Sequence, residues 1–112
     1  MSIIFEAIIA NDLKLIKSLI DKKGFDINEL DTFGNTPLIL AIFKKRTEIA
    51  KFLINNNANT EIKNKHGQNA IFYSVLTNST ELFCSLINKN NIDLNFKDEF
   101  GRTLLSIAQS NK

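Results

Sequence analysis

Three stretches of the chain carry apolar residues at helical spacing: Ile16, Leu19 and Ile20 within 13–20, Ile49, Leu53 and Ile54 within 48–54, and Leu82, Phe83, Leu86 and Ile87 within 81–87. Residues three and four apart share one face of a helix, so each stretch predicts a helix with one buried side. Polar residues suited to cap a helix stand before them: Asp12, Thr47, and Ser79 or Thr80. Residues suited to left-handed backbone follow them, namely Gly24, Asn57 and Asn91. Shorter apolar runs begin directly after Thr36, Asn69 and Thr103, whose side chains can accept from the free N–H groups of a first helical turn. Pro37 stands where a missing N–H costs nothing. The apolar start, from Met1 to Ala10, lacks the basic opening of a signal peptide and is interrupted by Glu6, and it predicts a core helix.

These elements recur in a fixed order. The segments Asp31-Thr32-Phe33-Gly34, Asn64-Lys65-His66-Gly67 and Asp98-Glu99-Phe100-Gly101 place their glycines 33 and then 34 residues apart, and each leads through a polar residue and a cap into an apolar helix. The exits from the second helices, Phe25-Asp26-Ile27-Asn28, Ala58-Asn59-Thr60-Glu61 and Ile92-Asp93-Leu94-Asn95, lead into the next turn. One period is therefore a turn followed by two helices.

The period and its motifs resemble the ankyrin repeat, which opens D-x-x-G-x-T-P-L-H-x-A and closes L-L-x-x-G-A-D-x-N. Asp31-Thr32-Phe33-Gly34-Asn35-Thr36-Pro37-Leu38-Ile39-Leu40-Ala41 follows the opening motif, with Ile39 in place of the histidine that ties the turn together in the family. That loop is accordingly expected to be held less firmly. The next unit has Asn69-Ala70-Ile71-Phe72-Tyr73-Ser74 for T-P-L-H-x-A, so Phe72 and Ser74 must fill the histidine and alanine positions. The resemblance covers nearly the whole chain and implies an all-α solenoid of stacked helix-turn-helix units joined by β-turn or hairpin connections. Its expected units are about 2–30, 31–63, 64–97 and a partial terminal unit at 98–112 of a single domain.

Composition agrees with one folded domain: 112 residues, 44% hydrophobic and 23% charged. The net charge of +2 is too mild for a nucleic-acid or anionic-membrane surface, and no stretch approaches the roughly 20 apolar residues that span a bilayer. The single cysteine, Cys84, has no partner for a disulfide or a metal pair, which points to a reducing compartment and a cytoplasmic protein. The single histidine, His66, cannot build a metal site alone, and it lies on a turn while Cys84 lies in a second helix, so no Cys-His nucleophile pair is expected. With no glycine-rich phosphate loop and no paired carboxylate site, an enzyme and a cofactor are not expected.

Family members bind partner proteins through turn tips and first helices, and the resemblance carries this to matching positions. The tips comprise Thr32, Phe33 and Asn35, then Lys65, His66 and Gln68, then Glu99, Phe100 and Arg102; the ends of the first helices add Phe43, Lys44, Leu76 and Thr77. Phe33, His66 and Phe100 put one ring on each tip, and aromatic residues and arginine are enriched at binding hot spots. Packing of the rings against neighbouring turns is the competing explanation. Lys44, Lys63, Lys65, Lys97 and Arg102 would favour an acidic partner, although Asp31, Asp98 and Glu99 stand among them. The expected function is protein binding without catalysis, in the form of an inhibitor or immunity-type protein among others. The alternative is oligomerisation or scaffolding, with weak self-association through apolar terminal faces: Ile3, Ile4 and Ile9 at one end, and Phe83 and Leu86, incompletely covered by Leu104, Leu105, Ile107 and Ala108, at the other.

Overall fold

The computed structural model describes residues 2–89, 94–95 and 97–110. Seven helices and no strand lie among the described residues: α1 (Ile3–Ile9), α2 (Leu13–Ile20), α3 (Pro37–Phe43), α4 (Thr47–Asn55), α5 (Ala70–Leu76), α6 (Thr80–Lys89) and α7 (Leu104–Ser110). The helices stack in two layers, with α1, α3, α5 and α7 packed in succession on the inner side and α2, α4 and α6 on the outer side. Within a unit the two helices run as a pair: α1 with α2, α3 with α4, and α5 with α6.

The inner helices start where their caps dictate. Thr36 Oγ1 accepts from Ile39 N at 3.1 Å, Asn69 Oδ1 accepts from Phe72 N at 3.1 Å, and Thr103 Oγ1 accepts from Ser106 N at 3.1 Å. Ser106 returns the bond, its Oγ accepting from Thr103 N at 2.9 Å, which makes a reciprocal capping pair. Among the outer helices Asp12 caps α2 as expected, accepting from Leu15 N at 3.0 Å. The expected cap Thr47 is instead the first residue of α4, and Arg46, in the cap position, makes no capping bond. Its guanidinium reaches back to α1, with Nε donating to Ile8 O at 3.1 Å and Nη2 to Ile9 O at 2.6 Å, satisfying two carbonyls at that helix end. For α6, Ser79 precedes the first helical residue and its hydroxyl is engaged with that of Thr77 at 2.7 Å.

The turn between paired helices is the same each time. Asn11, Lys45 and Asn78 have positive φ (56°, 59° and 56°), and the residues after them, Asp12, Arg46 and Ser79, donate to Ala7 O, Ala41 O and Ser74 O at 2.8 to 2.9 Å. With the bonds from Asn11, Lys45 and Asn78 N–H to Ile8, Ile42 and Val75 carbonyls, this is a Schellman closure repeated three times. At the far end of the outer helices Gly24 and Asn57 adopt the expected left-handed backbone, φ 78° and 66°, while Asn91 lies outside the described residues.

The core runs between the layers and between units. Ile4, Ile8, Ile16, Leu38, Ile42, Ile49, Leu53, Ile71, Leu82 and Leu86 are fully buried. Phe72 and Ser74 fill the positions assigned to them, both buried, and Ser74 Oγ donates to Ile71 O at 2.7 Å. Ile4, expected at an exposed terminal face, is instead core; only Ile3 and Ile9 of that set are exposed. At the other end Leu104 and Ile107 close over α5, Leu86 is buried, Phe83 is half-buried, and Leu105 is 67% exposed.

Candidate functional site

Each turn tip is built around one short polar side chain. Asp31 Oδ1 accepts from Phe33 N at 2.9 Å and Asn35 N at 2.8 Å; Asn64 Oδ1 accepts from His66 N at 2.9 Å and Gln68 N at 3.0 Å; Asp98 Oδ1 accepts from Phe100 N at 3.0 Å and Arg102 N at 2.8 Å. The loop opposite Ile39 thus keeps its shape without a histidine. Successive tips are also tied by backbone bonds, Lys65 N to Phe33 O at 3.0 Å and Glu99 N to His66 O at 2.8 Å. That close approach explains Gly34: at φ 77° a side chain is strained, and an added Cβ would lie 3.2 Å from Lys65 N.

Beneath the tips a side-chain chain joins all three turns. Asn35 Nδ2 donates to Asp31 Oδ2 at 3.3 Å, and Asn64 Nδ2 donates to Asn35 Oδ1 at 2.9 Å and to the Tyr73 hydroxyl at 3.0 Å. The hydroxyl donates to Gln68 Oε1 at 2.6 Å, Gln68 Nε2 donates to Asp98 Oδ2 at 3.0 Å, and Arg102 Nε donates to the same oxygen at 2.9 Å. Burial pushes the Tyr73 hydroxyl above its usual pKa, with the bond from Asn64 working in the opposite direction. Burial also pushes Asp98 upward, but the bonds from Gln68 and from the Arg102 backbone and guanidinium together outweigh it, and the carboxyl lies below its usual range.

Of the residues expected at the partner surface, Gln68 is removed from it: the side chain is buried and spent on Tyr73 and Asp98. Asn35 is half-buried and Leu76 half-buried, while Lys44 and Lys65 are exposed. Phe33 and Phe100 are 61% and 63% exposed and Phe43 is 52% exposed, so these three rings face outward. Phe100 does contact its neighbour, stacking on His66 with centroids 5.8 Å apart. His66 Nδ1 is shielded from solvent, and its approach to Glu99 Oε2 at 3.0 Å falls short of hydrogen-bond geometry.

Phe33, Asn35, Ile39, Leu40, Phe43, Asn64, His66 and Tyr73 together line an open pocket of about 200 Å³ between the first two tips and the inner helices. Phe43 and Tyr73 meet edge to face, centroids 5.8 Å apart, and form one wall. Of this lining the sequence reading named Phe33, Asn35, Phe43 and His66 and missed Ile39, Leu40, Asn64 and Tyr73. Tyr73 falls four residues after its helix cap, and only the packing of α3 beside α5 reveals that it faces Phe43. Among the described residues no cluster of His, Cys, Asp and Glu is arranged to hold a metal, and no helix is long and apolar enough to cross a membrane.

A family model of three ankyrin repeats matches residues 4–98. The chain belongs to the ankyrin-repeat family. Ankyrin repeats are protein–protein interaction modules, a family of binding rather than catalytic domains. In the crystal structure of the ankyrin repeat protein EF0377 the same fold recurs, with a TM-score of 0.86 and 29% identity over 96% of this chain and 54% of that one. Human transient receptor potential cation channel subfamily A member 1 is 33% identical over 73% of this chain and 7% of its own length. A Saccharomyces cerevisiae protein described as a probable 26S proteasome regulatory subunit, p28, is 34% identical over 84% of this chain and 42% of its own. This ankyrin-repeat chain therefore spans less than half the length of these two relatives.

Proposed function

We propose that the chain binds one partner protein across its turn tips and inner helices, without a catalytic step. The observation that carries this reading is the pair of outward-facing rings, Phe33 and Phe43, that line a pocket on the inner side of the stack, with the exposed Phe100 stacked on His66 of the same lining. Exposed aromatics held in place by a rigid scaffold lose little freedom on binding and are the residue type that dominates interface energetics. The yeast relative is described as a subunit of a larger assembly, in keeping with a module that works by contact. The single cysteine, Cys84, is exposed and free, which suits a reducing compartment, the cytoplasm. An inhibitor or immunity-type role is one form that such binding takes.

The test is affinity capture from the source cell with wild type and a Phe33→Ala, His66→Ala, Phe100→Ala variant whose fold is verified by circular dichroism. One protein retained by wild type and lost by the variant is the expected result; retention by both would overturn the surface assignment. A second reading, self-association through a terminal face, is favoured by the exposure of Leu105 on α7. It predicts a defined dimer in light scattering that Leu105→Glu abolishes and Phe33→Ala leaves intact, and a wild-type monomer at tens of micromolar would refute it.

A further inference from the structure

Arg102 is held on one edge and open on the other. Its Nε donates to Asp98 Oδ2 at 2.9 Å, and that carboxylate, itself fully buried, is fixed by Gln68 as well. The guanidinium carbon lies 5.2 Å from the ring centroid of Phe100 and 5.5 Å from that of Phe72, within cation–π range of both. The two terminal nitrogens have no partner among the described residues, and the side chain is 39% exposed. An arginine normally surrenders considerable rotamer freedom when it grips an acceptor; here bonding and ring contacts have already removed it.

Resting on the protein-binding reading above, we propose that Arg102 is a carboxylate receptor, and that the partner segment carries an Asp or Glu that pairs with its free edge and a large apolar side chain that enters the pocket beside Phe43 and Tyr73. Two parallel N–H groups match the two oxygens of a carboxylate. A phosphate dianion fits less well, because the Asp98 carboxylate already bonds the guanidinium and a dianion brings two negative charges beside it where a carboxylate brings one. The exposed Lys65 on the neighbouring tip adds a favourable field for an acidic segment without a fixed geometry.

The pocket and the arginine are coupled in position. The Tyr73 ring walls the pocket, its hydroxyl bonds Gln68, and Gln68 bonds the carboxylate that holds Arg102. They lie about one repeat apart. Neighbouring helices pack at about 8–10 Å and an extended chain advances about 3.3 Å per residue, so the acid falls roughly two to four residues from the apolar anchor.

A random peptide library displayed on phage, selected in parallel on the wild-type chain, Arg102→Gln, Arg102→Lys, Lys65→Gln and the tip-ring variant (Phe33→Ala, His66→Ala, Phe100→Ala), tests this, with each variant first checked by circular dichroism. Wild type is expected to select an apolar residue with Asp or Glu two to four positions away. Both Arg102 variants are expected to lose the acid and keep the apolar residue, since Lys preserves charge but not the fork; Lys65→Gln is expected to keep both. A selected peptide, synthesised, binds Arg102→Gln at least about tenfold more weakly, as expected for a truncated charge pair. Acid preference that survives in both Arg102 variants, or that falls equally in Lys65→Gln, overturns the proposal. Peptides lost on the tip-ring variant but lacking any acid overturn the carboxylate assignment alone, whereas peptides indifferent to the tip rings overturn the binding surface itself.

Discussion

Lys45 occupies left-handed backbone at φ 59°, where the equivalent turns place asparagine, Asn11 and Asn78. For a residue with an ordinary Cβ that conformation costs roughly 1–2 kcal/mol. Lys45→Gly is therefore expected to stabilise the chain by about 1 kcal/mol, net of the freedom glycine adds to the unfolded chain, and to raise the urea midpoint without altering its slope. Asp98 gives a second prediction. Its folded pKa lies below the unfolded value near 3.9, so the folded state binds protons less readily, and its contribution is present above that value and lost as pH falls through the folded one. In urea titrations from pH 7 to 3, wild type should exceed Asp98→Asn by most at neutral pH, with the gap narrowing below about pH 4. A gap that widens toward acid would contradict the assignment.

Helices α3, α5 and α7 span only seven residues each, too short to persist alone, so their stability comes from caps and from packing across units. The two contributions differ in size. Removing the Thr36 cap by Thr36→Ala is expected to destabilise by about 1 kcal/mol, whereas Phe72→Ala, which empties a fully buried site in α5, is expected to destabilise by about 3–5 kcal/mol. Urea unfolding of both variants measures the ratio. Comparable losses would mean that burial of Phe72 stabilises the stack no more than a single helix cap does.

Across the whole molecule, helices at the ends of the stack have fewer neighbours than those inside it. Helix α3 packs on α1, α4 and α5, and α5 packs on α3, α6 and α7, while α7 packs on α5. Where each unit leans only on the next, opening free energies follow this order. Amide hydrogen exchange is expected to be fastest in α7 and slowest in α3 and α5; uniform protection would show instead that the stack opens as a single unit.

Periodicity in the amino-acid sequence determined the repeat, the three inner-helix caps, and the left-handed positions at Gly24 and Asn57, because these depend on neighbours within one turn of chain. Relations between units were decided only in the tertiary structure. Gln68 looks like an exposed tip residue until Asp98, thirty residues away, bonds it from the next unit. Arg46 follows Lys44 and Lys45 in the chain, and only the packing of α3 beside α1 gives it two carbonyls to bond. Tyr73 becomes a pocket wall, and Arg102 a fixed fork with one free edge, because stacking sets side chains from different repeats within bonding distance. No periodicity along a single unit records those distances, since they are fixed by how one repeat rests upon another.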